Sequence, residues 1–326
     1  MKGKTRTKET TFDVPLPKLA ADLMKANGTL SRVSVNKAYK MYVGGAFVRS
    51  ESGRSFQVKA DAGNPGKPDP DVVNIPRASR KDVRDAVLAA RNAHAGWAAR
   101  TPYNRGQILY RLAEMMESRW VELTTSLSRS QKADSEACAE EVSKAIDTCV
   151  YYAGLTDKIS SLLASHNPVA GPHFGFTLPE SLGVVGVVAP EVPILLGLVT
   201  SVLPAVCGGN SVVALASECD PRTASIWTEC VATSDMPGGV INVLFGHVGE
   251  VLPTLSKHRD VNGLALWLDD TALVRSATMD AADSVKRVRT YAGLAKDLLK
   301  DASKTCKLSL VEPHLEFKTV WHPMGL

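Results

Sequence analysis

Four short apolar runs, separated by segments of helix length, constrain the fold of this 326-residue chain more than any other feature. They cover residues 182–188, 211–215, 240–245 and 261–268. Aliphatic and β-branched runs of this length indicate strands that are buried on both faces. Strands that are joined through helices need crossover connections, which make them parallel. The sequence therefore predicts an α/β fold built on a doubly wound parallel sheet.

Three helices are predicted between these strands. Residues 194–206 form a run that is too long and too uniformly apolar for a strand and that stops at Gly208, which indicates a buried helix with a glycine end. Asp220 followed by Pro221 is typical of an N-cap and the first helical position. A third helix is predicted over residues 248–255. Each of these segments is long enough to connect two parallel strands.

The chain on either side of this core differs in composition. A polar, basic start indicates a loosely held tail, and apolar residues spaced three or four apart predict helices before the core. Leu315, Phe317, Thr319 and Trp321 recur at every second position, which predicts a strand with these side chains on one face. The predicted segments are a tail over 1–35, a dinucleotide-binding-like α/β domain over 36–270 (hairpin and helices 36–165, arm 170–180, strand–helix core 182–268), a helical segment over 271–307 and a C-terminal strand over 308–326.

Several motifs occur in a fixed order, among them YVGGAF at residues 42–47 and PGGVINV at 237–243. The first is similar to the opening hairpin of the aldehyde dehydrogenase family, and the second is similar to part of its middle. Asn210 after Gly209, and Glu218 after Ser217, also match. The resemblance runs from about residue 42 to about residue 266. It implies a dinucleotide-binding sheet with an oligomerisation arm, to which the C-terminal strand would belong.

The resemblance also implies where an oxyanion donor would lie. The family places a Trp-Asn pair between two prolines after the first parallel strand, and that Asn donates to the developing oxyanion. Here Pro190 and Pro193 enclose only Glu191 and Val192. A carboxylate cannot replace an amide donor, so we expect no oxyanion donor at this position.

The cofactor positions implied by the resemblance are also altered. The family's ribose-binding lysine maps onto Leu215, and Glu218 is the only retained candidate contact. The glycine–serine turn that meets the cofactor diphosphate maps onto residues 267–270. There the indole of Trp267 and the neighbouring aspartates are expected to block and repel a diphosphate. No cofactor is therefore expected.

No segment resembles the family's glutamate general base or its cysteine nucleophile. We therefore expect a truncated member that lacks the catalytic cysteine domain and has no catalytic residues. The six cysteines show no CxxC pairing, which favours a reduced, cytoplasmic protein, and the seven histidines show no ligand spacing, so no metal is expected. A net charge of +4 and the absence of a membrane-length apolar run favour neither nucleic acid nor membrane as a partner.

The first functional hypothesis is a non-catalytic subunit, a pseudoenzyme, that assembles with a full-length aldehyde dehydrogenase and stabilises or regulates it. Phe317, Thr319 and Trp321 would form the interface, because an exposed strand edge with aromatic side chains needs a cover. One alternative is an NAD(P)-dependent aldehyde oxidoreductase with atypical site residues. Another is a binding module for a different nucleotide or metabolite, in the crevice at the carboxyl ends of the strands.

Overall fold

A computed structural model of the protein describes residues 37–58, 72–130 and 134–325. The predicted tail over 1–35 lies outside the described residues. The strands are β1 (Met41–Val43), β2 (Ala46–Val48), β3 (Ser55–Val58), β4 (Val73–Pro76), β5 (Ser165–Asn167), β6 (His173–Ser181), β7 (Val184–Val188), β8 (Ser211–Leu215), β9 (Ile241–Leu244), β10 (Gly263–Leu266), β11 (Arg287–Thr290) and β12 (Leu315–Pro323).

The first five helices follow one another between β4 and β5, and the later ones alternate with strands β7 to β11. The helices are α1 (Arg80–Ala98), α2 (Pro102–Ser118), α3 (Trp120–Ser130), α4 (Ser135–Leu155), α5 (Ile159–Leu163), α6 (Ile194–Cys207), α7 (Pro221–Ala232), α8 (Val248–Lys257) and α9 (Thr271–Ala282). Short 3-10 helices follow β11. Within the described part of the chain, none of the helices combines the length and apolar character that crossing a bilayer requires.

The central sheet has seven strands in the order β11-β10-β7-β8-β9-β1-β2. Strands β7 to β11 pair in parallel, whereas β1 and β2 form an antiparallel hairpin at one edge. Every residue of β7, β8, β9 and β10 is buried, which explains why these strands are predominantly apolar. The predicted α/β fold with a parallel sheet is confirmed.

The helices that the sequence predicts in the core are confirmed. Every residue of α6 is buried, and α6 ends where Gly208 follows it. The Asp220 side chain accepts from the backbone N–H of Arg222 at 2.8 Å, and Pro221 occupies the first turn of α7. The α7 helix therefore begins where the sequence predicts it, because the cap satisfies an amide that the helix itself leaves unpaired.

The segment predicted as helical over 271–307 differs from the prediction. It contains α9 but then the strand β11, which pairs in parallel with β10 and extends the sheet. The sequence of β11 is RVRT, and three of its four residues are exposed. An edge strand of this kind has no apolar run, so the pattern that identifies the buried strands is absent from it.

A second, three-stranded antiparallel sheet has the order β12-β6-β5, and we call it the arm sheet. Strand β12 pairs with β6 from Leu315 opposite Ser181 to Pro323 opposite His173. The predicted C-terminal strand is therefore present, and it pairs with the segment over 170–180 that the sequence assigns to an arm.

Candidate functional site

The carboxyl ends of the five parallel strands lie along one edge of the central sheet. In open α/β sheets this edge is where ligands bind, at the point where the strand order reverses. Here the order reverses between β7 and β10, since β8 and β9 lie to one side of β7 and β11 lies beyond β10. The loops that follow β7, β8, β9 and β10 therefore form the candidate functional site.

Glu191, in the loop after β7, is turned toward the loop after β8. Its carboxylate accepts from the Ser217 hydroxyl at 2.8 Å and from the backbone N–H of Cys219 at 2.9 Å. The Ser217 hydroxyl also lies 3.0 Å from the Glu191 carbonyl oxygen. The structure thus joins two predicted site segments, and it leaves an acceptor where the resemblance implies an amide donor.

Glu218 lies at the N-terminal end of α8. One carboxylate oxygen is 2.8 Å from His247 Nδ1, and the other accepts from the backbone N–H of Val248. His247 is the N-cap residue of α8 but makes no capping bond with its own side chain, so Glu218 takes that role. Sequence reasoning missed His247, because histidine is not a typical capping residue. The Glu218 side chain is 31% exposed and remains accessible to a ligand.

The turn over 267–270 is arranged differently from the expectation. The Trp267 side chain stacks on Tyr291 with ring centroids 4.4 Å apart, and Trp267 is only 5% exposed. Its indole therefore offers almost no surface to a ligand. The physical reason is that Tyr291, the residue directly after β11, lies beside the end of β10, and β11 is not predicted from the sequence.

The two aspartates of this turn each have donors within the chain. Asp269 accepts from the backbone N–H of Gly293 at 2.7 Å and lies 3.4 Å from Lys296, and both contacts lower the pKa of its carboxyl group. Asp270 accepts from the N–H groups of Ala272 and Leu273 and is the N-cap of α9. Both carboxylates are thus partly compensated by local donors.

A buried carboxylate that sequence reasoning missed lies at the start of α6. Glu141 on α4 is almost completely buried and accepts from the backbone N–H groups of Leu195 at 2.7 Å and Leu196 at 3.2 Å. The first N–H groups of α6 are therefore satisfied by a side chain from another helix. The contact joins residues 54 apart in sequence, so local patterns carry no sign of it.

The cysteines are all described, and they fall into two groups. Four are buried, and burial raises the pKa of each of these thiols. They are Cys138, Cys149, Cys207 and Cys230. Cys219 is exposed at the candidate site, but partial burial of its sulfur and the Glu191 carboxylate raise its pKa to about 11. Cys306 lies away from this edge, 3.9 Å from the hydroxyl of Thr148.

Comparisons with known proteins place these observations in a family context. The model of the aldehyde dehydrogenase family matches residues 51–296. The putative aldehyde dehydrogenase DhaS of Bacillus subtilis is 31% identical over 258 residues, which cover 78% of this chain and 50% of DhaS. An aldehyde dehydrogenase of Aspergillus niger is 29% identical over 276 residues, which cover 84% of this chain and 54% of the relative. This chain thus spans about half the length of these relatives.

Solved structures agree with this result. PnpE in complex with nicotinamide adenine dinucleotide has a TM-score of 0.72 and 26% identity, with 79% of this chain and 51% of PnpE covered. The NAD+ complex of the aldehyde dehydrogenase from Bacillus cereus shares the fold at a TM-score of 0.73 and 24% identity, with 85% and 53% covered. Because these structural neighbours are NAD+ complexes, the prediction that no cofactor is expected is wrong.

Proposed function

The chain belongs to the aldehyde dehydrogenase family, and on this basis we propose that it binds NAD(P) but is not catalytic by itself. In this proposal it assembles with a full-length aldehyde dehydrogenase, which supplies the nucleophilic cysteine. The observation that carries the proposal is the environment of Cys219, the cysteine at the carboxyl edge of the sheet. A thiol nucleophile acts as the thiolate, and this site disfavours the thiolate.

The contacts of Cys219 explain this effect. Its backbone N–H donates to the Glu191 carboxylate, and Glu191 and Glu218 both place negative charge near the sulfur. A catalytic cysteine has the opposite surroundings, such as a nearby cation or a positioned base. With the pKa raised to about 11, only a small fraction of Cys219 is ionised at neutral pH. The four buried thiols are less accessible still.

The cofactor part of the proposal is supported by Glu218. A partly exposed carboxylate at the carboxyl edge can accept hydrogen bonds from the two hydroxyl groups of a ribose, and Glu218 is the one candidate cofactor contact that the family resemblance retains. A ribose at Glu218 would compete with the contact that its carboxylate makes to His247. When bound, the nicotinamide supplies a hydride acceptor for aldehyde oxidation.

The partner in this proposal is supported by the arm sheet. Phe317 and Trp321 lie on one face of β12 and are 45% and 60% exposed, whereas Phe174 and Leu178 of β6 are exposed on the opposite face, because they pair with His322 and Lys318. Thr319 of β12 bonds to Thr177 across the strands at 2.8 Å, which holds the strand pair in register. An apolar, aromatic surface of this kind is typical of a surface that another subunit covers.

Co-expression with an aldehyde dehydrogenase from the same organism tests the assembly. We expect a stable mixed oligomer by size exclusion with light scattering, and aldehyde-dependent formation of NADH only when the full-length chain is present. A soluble monomer that associates with no such enzyme would contradict the assembly. NADH formation by this chain alone would favour the second candidate function, an NAD(P)-dependent aldehyde oxidoreductase with atypical site residues.

Thermal unfolding with added NAD or NADP tests the cofactor part separately. A ligand at about one hundred times its dissociation constant stabilises the folded state by about 2.7 kcal/mol. Glu218→Gln should weaken binding by about tenfold, which corresponds to about 1.4 kcal/mol. Glu250→Gln, which alters a carboxylate on α8 itself, is the matched control and should bind as the parent chain does. If the Glu218 variant binds NAD as tightly as the parent chain does, Glu218 does not contact the ribose.

A further inference from the structure

A separate groove lies between α1, the β3–β4 hairpin and α8. It has a volume of about 1080 Å³, and Ser79 and Pro253 form part of its walls. Its charged lining is dominated by cations, of which four are arginines. The cationic lining residues are Arg54, Arg77, Arg80, Lys81, Arg84 and Lys257, and the acidic ones are Glu51 and Glu250.

Both acidic residues of the groove already have cationic partners. Arg77 donates to Glu250 at 2.8 Å through its Nε and forms a second bond through its guanidinium. Lys81 lies 3.3 Å from Glu51. Lys257 in turn lies 3.6 Å from Asp280 of α9. The carboxylates of Glu51, Glu250 and Asp280 are therefore paired with these three cations.

Three other arginines of the groove form no ion pair with a carboxylate of the described residues. Across the described ranges, no carboxylate lies within ion-pair distance of the side chains of Arg54, Arg80 or Arg84. Arg80 and Arg84 are four residues apart on α1 and so lie on the same helix face. Arg54 also helps to lower the pKa of Glu250, after the larger effect of Arg77, which places Arg54 in the same electrostatic environment.

We propose that this groove binds a small ligand that carries two or more phosphate groups. Guanidinium groups form paired hydrogen bonds with phosphate oxygens, and several of them in one groove gain most from a ligand of high charge density. A phosphate group concentrates up to two negative charges, whereas a carboxylate carries one. The volume and the mixture of charged and small polar walls are suitable for a small molecule.

The groove is distinct from the candidate site at the carboxyl edge. Glu250, Pro253 and Lys257 line it from the side of α8 that faces α1. Glu218 instead contacts the first N–H of α8, and Ser256 bonds to Asp280 of α9. A phosphorylated ligand in the groove should therefore bind together with a dinucleotide and not in competition with it.

Calorimetry with inorganic tripolyphosphate tests the proposal on the full chain. Arg80→Ala combined with Arg84→Ala should weaken binding by about tenfold or more, since each pair of charge-assisted bonds contributes at least about 1.4 kcal/mol. Arg275→Ala combined with Lys300→Ala is the matched control, because both residues are exposed and lie outside the groove. This control has the same net charge and should bind within about twofold of the parent.

Four results would overturn the proposal. Equal weakening in the control pair would mean that the anion responds only to net charge. Displacement by saturating NAD would place the anion at the carboxyl edge. Tighter binding of a poly-glutamate peptide than of tripolyphosphate would identify an acidic protein as the preferred ligand class. Circular dichroism verifies that each variant is folded. Arg54→Ala is an independent variant, because Arg54 lies outside α1. If this variant binds tripolyphosphate as the parent chain does, Arg54 does not contact the ligand and the proposed site of three arginines is wrong.

Discussion

Trp97 and Trp321 show how differently the two sheets of this molecule use large aromatic side chains. Trp97 at the end of α1 is 1% exposed, and its indole N–H donates to the Val206 carbonyl of α6 at 3.0 Å. Trp321 on β12 is 60% exposed. The helices that pack on the parallel sheet cover Trp97, whereas Trp321 on the arm sheet stays uncovered. The contrast leads us to expect that a substitution at Trp97 affects stability, and that a substitution at Trp321 affects the proposed assembly.

The two regions meet at His314. Its carbonyl oxygen accepts from the backbone N–H of Leu182 at 3.3 Å and from the side chain of Asn210 at 2.9 Å. Asn210 in turn accepts from the backbone N–H of Gly183 at 2.8 Å. Asn210 thus connects the start of β7, the start of β8 and the base of β12. Changes here should affect both regions together.

The largest expected effect comes from removing the buried tryptophan. Trp97→Ala should lower the free energy of unfolding by about 3–5 kcal/mol, because it leaves a cavity and removes the donor to Val206. Trp321→Ala is the matched substitution in the arm sheet, and it should change the unfolding free energy of the isolated chain by less than about 0.5 kcal/mol. Urea denaturation measures both. Equal losses would mean that the arm is part of the folding core.

Acid should weaken the junction between the two regions. Burial lowers the pKa of His314 from 6.5 to about 4, so the folded protein keeps this imidazole neutral where the unfolded chain protonates it. The unfolded state therefore binds more protons as pH falls from 6.5 to about 4, and stability decreases through this window. At about 1.36 kcal/mol per pH unit the loss from His314 approaches roughly 3 kcal/mol.

Denaturation at several pH values measures this effect in the parent chain and in His314→Gln, which does not titrate. The pKa values of His94 and His258 are also lowered, chiefly by burial, so some acid sensitivity should remain in the variant. The difference between the two slopes isolates His314. Parallel slopes would exclude it as the source of acid sensitivity.

The exposed aromatics of the arm sheet should affect association more than folding. Phe317→Ala and Trp321→Ala should each weaken the proposed assembly by about 2 kcal/mol, or roughly thirtyfold, because central aromatic anchors carry much of an interface's free energy. Tyr103→Ala is the control, since Tyr103 is exposed on α2, away from the arm. Pull-down at several concentrations measures the change. If the control and the arm variants bind alike, the interface lies elsewhere.

The sequence was sufficient for the elements that are buried on both faces. Strand β8 matches its predicted bounds, because an isolated apolar run between polar breaks has no competing interpretation. Strand β11 was missed because its exposed edge position needs only one apolar residue in four. Apolar runs in the sequence thus identify the central strands of the sheet but not its edge strand.

The candidate site was predicted less well, because its contacts join distant segments. The Glu218–His247 pair spans 29 residues, and the stacking of Trp267 on Tyr291 depends on the unidentified strand β11. The expectation that the indole would block a cofactor assumed a side-chain direction that the sequence does not contain. The residue types in the sequence were enough to predict where the candidate site lies. The contacts of its side chains depend on the fold and could not be predicted from the sequence.

The smallest expected effect is that of Cys219→Ser. Cys219 is exposed and lies outside the core, so the free energy of unfolding should change by less than about 0.5 kcal/mol. Because Glu191 and the burial of the sulfur disfavour its thiolate, the activity of the proposed mixed oligomer should also stay within a few-fold of the parent. The same substitution at the buried Cys149 is the contrast, since a hydroxyl there replaces an apolar sulfur and should cost about 1–3 kcal/mol in stability. Loss of activity in a folded Cys219 variant would identify this thiol as a nucleophile and overturn the non-catalytic proposal.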